Sequence, residues 1–245
     1  MIEIWGEDNS RRHALLDQHS RNSLPKLYAN EEKGLEAQAP VKFFTPDSNW
    51  TWYASEFDGE DIFFGLATQN VEILNKVKPK RIVTTCPHCL HTIKNEYPAF
   101  GGNYQVIHHT QLINELVGAG KISMNLEGDN MKVTFHDPCY LGRHNKITDA
   151  PRSTLESAGV TTIEMPRNGA KAFCCGAGGA QMWKEEENGT SRVNEARFAE
   201  AKSTGADTVA VGCPFCLTMM SDASKADGGN IQVKDVAEIV AERLK

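Results

Sequence analysis

From about residue 67 onward the apolar residues follow two different spacings. Short β-rich runs stand at 81–85 (RIVTT), 104–108 (YQVIH), 132–136 (KVTFH), 161–165 (TTIEM), 207–211 (DTVAV) and 231–233 (IQV). Each is the length of a strand. Between several of them apolar positions recur every three or four residues, the period of a helix with one buried face. Val71, Leu74 and Val77 do so in NVEILNKV, and TQLINELVGAG and the stretch from Ser191 to Ser203 follow. In the tail VKDVAEIVAERLK, Val236, Ile239 and Val240 form the stripe and Asp235 suits the first turn. Strands and helices alternating at this interval predict parallel α/β units.

The first 66 residues read differently. VKFFTP, WTWYASEFD and DIFFGLA are aromatic β-type runs, separated by turn signals at Pro46–Asp47 and Asp58–Gly59. They predict a short antiparallel meander. Trp50, Trp52, Tyr53 and Phe57 suit core packing better than a binding surface. Charge separates the two regions as well. Residues 1–66 hold 6 basic and 12 acidic side chains, whereas residues 67–245 hold 20 of each.

The second region contains a repeat. VTTCPHCLHTI (83–93) matches AVGCPFCLTMM (210–220) at an offset of 127 residues. Both strings follow a strand, and both precede a second strand and a helix. The chain therefore reads as a segment at 1–66, a truncated unit at 67–128 and a complete unit at 129–245.

The seven cysteines, Cys86, Cys89, Cys139, Cys174, Cys175, Cys213 and Cys216, all fall in the second region. Their number is odd and no export signal is visible at the N-terminus, which argues for reduced thiols in a cytoplasmic setting. A net charge of −6 argues against nucleic acid as a partner. No apolar run is long enough to predict a transmembrane segment. Cys139 and Cys213 stand just past predicted strands, where open α/β sheets gather ligand sites. Thiolates select iron–sulfur clusters, zinc or copper(I). Five thiols in one unit, two of them adjacent, exceed the four ligands of a closed zinc site and suit a polynuclear cluster better.

The pattern Cys139-x34-Cys174-Cys175-Gly176-x36-Cys213-x2-Cys216 resembles the cysteine-rich CCG domain. That domain occurs in heterodisulfide reductase and in the iron–sulfur components of glycolate, lactate and glycerol-3-phosphate oxidoreductases. IVTTCPHC, KNEYP, HHTQL, HDPCYLGRHN and FCCGAGGAQMW resemble the heterodisulfide-reductase-related branch, over about residues 66–245. The resemblance implies Rossmann-like CCG units and a 4Fe-4S-type cluster, cubane or non-cubane, held by Cys139, Cys174, Cys175, Cys213 and Cys216 beside Gly176. Zinc is the alternative metal. It further implies an electron-transfer component of an oxidoreductase complex, with a redox partner such as a flavoprotein and any membrane association made through that partner. The alternative is a zinc-binding or metal-free binding protein that has lost redox activity. Residues 23–66 resemble a fragment of an uncharacterised small bacterial domain.

The first motif is reduced to Cys86 and Cys89, which alone cannot enclose a cluster, so both are expected to be orphaned thiols, with His88 or His91 the nearest further donors. Gly176, Gly178 and Gly179 are expected to bring backbone N–H groups to sulfur and to open a helix. His136 is expected to end a strand and Asp137 to cap the turn at Pro138. Met182 and Trp183 are expected to pack, and Lys184 to Glu187 to form a solvated face.

The missing half-unit should expose apolar residues of strand 81–85 and helix 68–78, for the meander to cover. Deleting residues 1–66 should then lower the melting temperature or cause aggregation, and thermal denaturation of the shortened chain checks this.

Overall fold

Three strands, β1 (Val41–Phe44), β2 (Thr51–Phe57) and β3 (Phe63–Gly65), pair antiparallel in sequence order, as the aromatic runs predict. In the computed structural model the described residues are 63–126, 131–178 and 189–245, strands β1 and β2, and positions 23, 25 and 26. The side-chain surroundings of Trp50, Trp52, Tyr53 and Phe57 lie outside them, as do Gly179, Met182, Trp183 and the 184–187 run. The chain divides into two compact units, Met1–Ile73 and Leu74–Lys245, with the division inside helix α1 (Leu66–Val77).

The second unit is α/β. Its elements run β4 (Ile82–Thr84), α2 (Pro87–Asn95), β5 (Val106–His108), α3 (His109–Gly118), β6 (Lys132–His136), a π-helix (Tyr140–His144), α4 (Asp149–Ser157), β7 (Thr161–Thr162), α5 (Val193–Lys202), β8 (Thr208–Val211), α6 (Pro214–Ala226), β9 (Gln232–Asp235) and α7 (Val236–Ala241). Strands β4 and β5 form a parallel pair, and β7-β6-β8-β9 form a four-stranded parallel sheet.

The repeat is structural. Adding 127 to β4, α2, β5 and α3 lands on β8, α6, β9 and α7. Even the helix starts correspond. His108 and Gln111 form a capping box at α3, and Asp235 and Glu238 form one at α7, where the Asp235 carboxylate accepts the Ala237 N–H. Helices α2 and α6 go beyond the elements that apolar spacing predicts. Each begins on the Pro of a Cys-Pro pair, whose fixed φ suits the first helical position.

All four residues of β8, and the last four of β6, are buried. A parallel sheet covered on both faces demands such continuous burial, so these strands read as apolar runs without alternation. Alternation reappears in what each side chain meets. Val133, Phe135 and Ala210 pack with Leu155, Val236 and Ile239 on one face. Val209 and Val211 pack with Met165, Phe198 and Met220 on the other. The register pairs His136 with Val211, which puts His136 on this second face.

Two histidines at the start of α3 join the repeats. His109 Nε2 lies 3.0 Å from the Asp235 carboxylate. His108 is fully buried, with Nε2 3.1 Å from the Gly212 carbonyl and Nδ1 2.8 Å from the Thr110 hydroxyl. A carbonyl only accepts, so Nε2 carries the proton and the Thr110 hydroxyl donates to Nδ1. Gly212 permits this approach, because a Cβ there would meet His108 Cε1 at 3.3 Å.

Burial, with the nearby His109, pushes the His108 imidazole down to about 4. Its folded pKa lies below the free value, so the unfolded chain binds the extra proton between about pH 6.5 and 4. Stability should hold above that window and fall by up to about 3 kcal/mol through it from this group. His108→Gln should shrink that slope, as urea melts between pH 7 and 4 will show.

Candidate metal centre

Parallel strands deliver their connecting loops to one edge of a sheet. Cys86 follows β4 as the residue preceding α2, Cys213 stands equivalently before α6, and Cys139 leads from β6 into the π-helix. Cys174 and Cys175 arrive on the segment beyond Lys171.

The result is a continuous row of seven thiols. Cys139 is hydrogen-bonded to Cys174, and Cys174 to Cys175. Cys175 meets Cys216 at 3.4 Å between sulfurs. Cys216 contacts Cys213, Cys213 contacts Cys86, and Cys86 contacts Cys89. Cys175, Cys213 and Cys216 are buried, and Cys89 is exposed. The structure thus gathers the five thiols of the complete unit, and it does not leave Cys86 and Cys89 apart from them. Cys86, His88 and Cys213 place one donor atom each within 4.8 Å of one another. That contact lies between segments 127 residues apart in sequence, so spacing alone did not reveal it.

The two glycines that are described behave differently. Gly176 has φ +88°, and a Cβ there would meet Val193 Cβ at 3.1 Å and Asn194 N at 3.3 Å. That backbone directs its N–H to Cys174 Sγ at 3.3 Å. A Cβ on Gly178 would meet nothing within 4 Å among the described residues.

Negative charge cannot spread freely along such a row. Hydrogen bonds from Cys139 and then Cys175 hold the Cys174 thiol down near 2. Cys174, by the same contact, pushes Cys175 up to about 11. Hydrogen bonds from Cys213 and Cys89 lower Cys86 strongly. For Cys213 the Cys216 contact lowers the pKa, but Cys86 and burial outweigh it and leave it up at about 12. Cys175 and Cys213 push Cys216 up as well. Cys174 and Cys86 are thus the two thiols of the row drawn down. Only cations among the sulfurs allow the remaining thiols to ionise together. The donor set fits a polynuclear thiophilic centre.

Around the row lie groups of opposite character. His136 ends β6 as expected and is fully buried. One of its ring nitrogens lies within 4.8 Å of the Cys175 and Cys216 sulfurs. Burial, then the Arg197 charge, lowers its pKa to about 3. Asp137 departs from expectation. Its buried carboxylate reaches across to accept Gly169 N–H at 2.7 Å and two Arg152 N–H groups at 2.8 and 2.9 Å. It therefore ties the loop ahead of Cys174 to α4. Tyr140 stacks on His144 with ring centroids 4.4 Å apart and lies 4.0 Å from His88. His91 stands edge-on to Tyr140 at 5.5 Å.

The sequence matches the family model of the cysteine-rich domain over residues 52–94 and 133–221. The chain belongs to the CCG family. The first match begins at Trp52, ahead of Ala67. A Bacillus subtilis protein named a probable iron-sulfur-binding oxidoreductase, FadF, is 44% identical over 76% of this chain and 26% of its own. The EtfAB:quinone oxidoreductase of Syntrophomonas wolfei is 40% identical over 76% of this chain and 27% of its own. One component of the Methanosarcina barkeri dihydromethanophenazine:CoB–CoM heterodisulfide reductase is 36% identical over 76% of this chain and 46% of its own. The chain thus spans between about a quarter and a half of the length of these relatives. The relatives of this CCG chain thus include a subunit of an oxidoreductase complex and a protein named for iron–sulfur binding. No helix among the described residues is long and apolar enough to cross a membrane.

Arg152 also pairs with Glu164 at 2.6 Å, and these contacts raise its pKa, Asp137 most. Arg152→Ala would leave the Asp137 carboxylate buried without its cation. It should destabilise the unit by on the order of 3–5 kcal/mol, measured by denaturant unfolding. Arg152→Lys should restore only part of this, because it cannot form the paired contact.

Proposed function

We propose that this chain is the cluster-carrying, electron-transfer part of a larger oxidoreductase complex. The observation that carries this reading is the contiguous row of thiols, with Cys139, Cys174, Cys175, Cys213 and Cys216 spaced as in the CCG family. These five, beside Gly176, would hold one 4Fe-4S-type cluster, cubane or non-cubane. The bound cluster would supply one-electron exchange. The chain's own residues do the rest. The Gly176 N–H donates to the Cys174 sulfur. Met165, Phe198 and Met220 exclude water from behind Cys175 and Cys216. Cys86 and Cys89 line the outer end of the row.

The electron partner proposed is a flavoprotein, an assignment supported by the relatives' membership of multi-subunit complexes. The seven reduced thiols support a cytoplasmic setting, with any membrane contact made through that partner. Zinc is the competing occupant, and Cys86, His88 and Cys213 are the groups that favour it.

Anaerobically purified chain should be brown and carry about four irons with matching acid-labile sulfide. Cys174→Ser or Cys175→Ser should remove most of that iron. Stoichiometric zinc without iron would overturn the proposal. The double variant Cys86→Ser/Cys89→Ser should keep nearly all its iron, because residues 129–245 alone are proposed to hold the cluster; loss of iron would mean that both repeats share one centre.

A further inference from the structure

His136 stands among the thiols and has the chemistry of a metal ligand, so its role depends on which ring nitrogen is free. Arg197 decides this. Its guanidinium is completely buried on α5, and Nε lies 2.9 Å from His136 Nδ1. Arginine has donors and no acceptor, so Nε–H donates and Nδ1 must accept with a bare lone pair. The neutral imidazole then carries its proton on Nε2.

The guanidinium cannot turn away. Its Nη1 donates to the Arg167 carbonyl at 3.0 Å and pairs with the Glu200 carboxylate at 3.0 Å. Glu200 is itself held by Arg167 at 2.8 Å. A ring whose Nδ1 accepts from Arg197 could bind a metal through Nε2 only as an imidazolate, after losing its last proton. Donating the Nε2 hydrogen to sulfur requires no such loss. The strand register puts His136 on the face that carries Cys175 and Cys216, with one ring nitrogen within 4.8 Å of both sulfurs.

We infer that Arg197 fixes His136 as an N–H donor to the Cys175–Cys216 sulfurs, and that this positioning pair sets the redox potential of the centre without ligating it. The inference rests on the cluster proposed above. A hydrogen bond to a ligand sulfur stabilises the more negative, reduced state and so raises the potential.

Two measurements test it. In the full-length, metal-free chain, nitrogen-15 NMR of the His136 ring should show the Nε2-protonated tautomer. A proton on Nδ1 would overturn the inference, whether or not a cluster forms. In the iron-loaded chain, His136→Ala should retain its iron while its midpoint potential shifts downward. His136→Gln, which keeps an N–H donor, should recover part of the shift, and Arg197→Met should move the potential in the same direction as His136→Ala. Loss of iron from His136→Ala, or a strong coupling to a directly bound nitrogen in pulsed EPR, would make His136 a ligand and overturn the inference. An unchanged potential would do the same. A wild-type chain that takes up no iron refutes the proposed function, and the NMR result then still decides the role of Arg197.

Discussion

Crowding of buried sulfur is the constraint on which this molecule depends. Seven thiols lie in a contiguous row at the carboxyl edge of two parallel sheets. In water each would ionise independently near its ordinary pKa. Here their mutual contacts draw Cys174 and Cys86 down and push Cys175, Cys216 and Cys213 between them up. Ionising all seven together would set like charges side by side, a repulsion that metal cations among the sulfurs would offset. The surrounding fold reads as a device for bringing these sulfurs together and keeping water out.

The parallel sheets supply direction. Each of β4 and β8 leads into a cysteine, and helices α2 and α6 start on the proline that follows. Two polar ties then bring the parts into register. His108 and His109 bind the first copy of the repeat to Gly212 and Asp235 of the second. Asp137, through Gly169 and Arg152, ties the strand that carries Cys139 to the loop ahead of Cys174. Each tie runs through a buried side chain, His108, His109 or Asp137, so each is costly to leave half made. The geometry of the thiol row is therefore coupled to groups that never touch it.

Arg197 adds a different control. A fully buried guanidinium in a domain of this size needs a partner for most of its donors. It finds His136, Glu200 and the Arg167 carbonyl. By occupying one side of the imidazole it commits the other side to a single role. Sequence contiguity places His136 three residues from Cys139, but the residue that directs it lies 61 positions away.

The meander, the parallel α/β order and the five-cysteine pattern were legible in the sequence because each rests on local spacing. Alternating aromatic runs with turn residues make hairpins, β-branched runs between helical stripes make parallel units, and the Cys-Cys-Gly and Cys-Pro-x-Cys strings repeat a family pattern. The 127-residue repeat was legible too, and it returned as matched strands, helices and capping boxes. The approach of Cys86 to Cys213, the reach of Asp137 to Gly169 and Arg152, and the Arg197–His136 pair were decided only by the tertiary structure. Each is a contact between segments remote along the chain, set by how the sheets pack, and no periodicity along the sequence encodes it. Sequence thus determined which thiols and imidazoles the chain offers, and packing determined which of them meet.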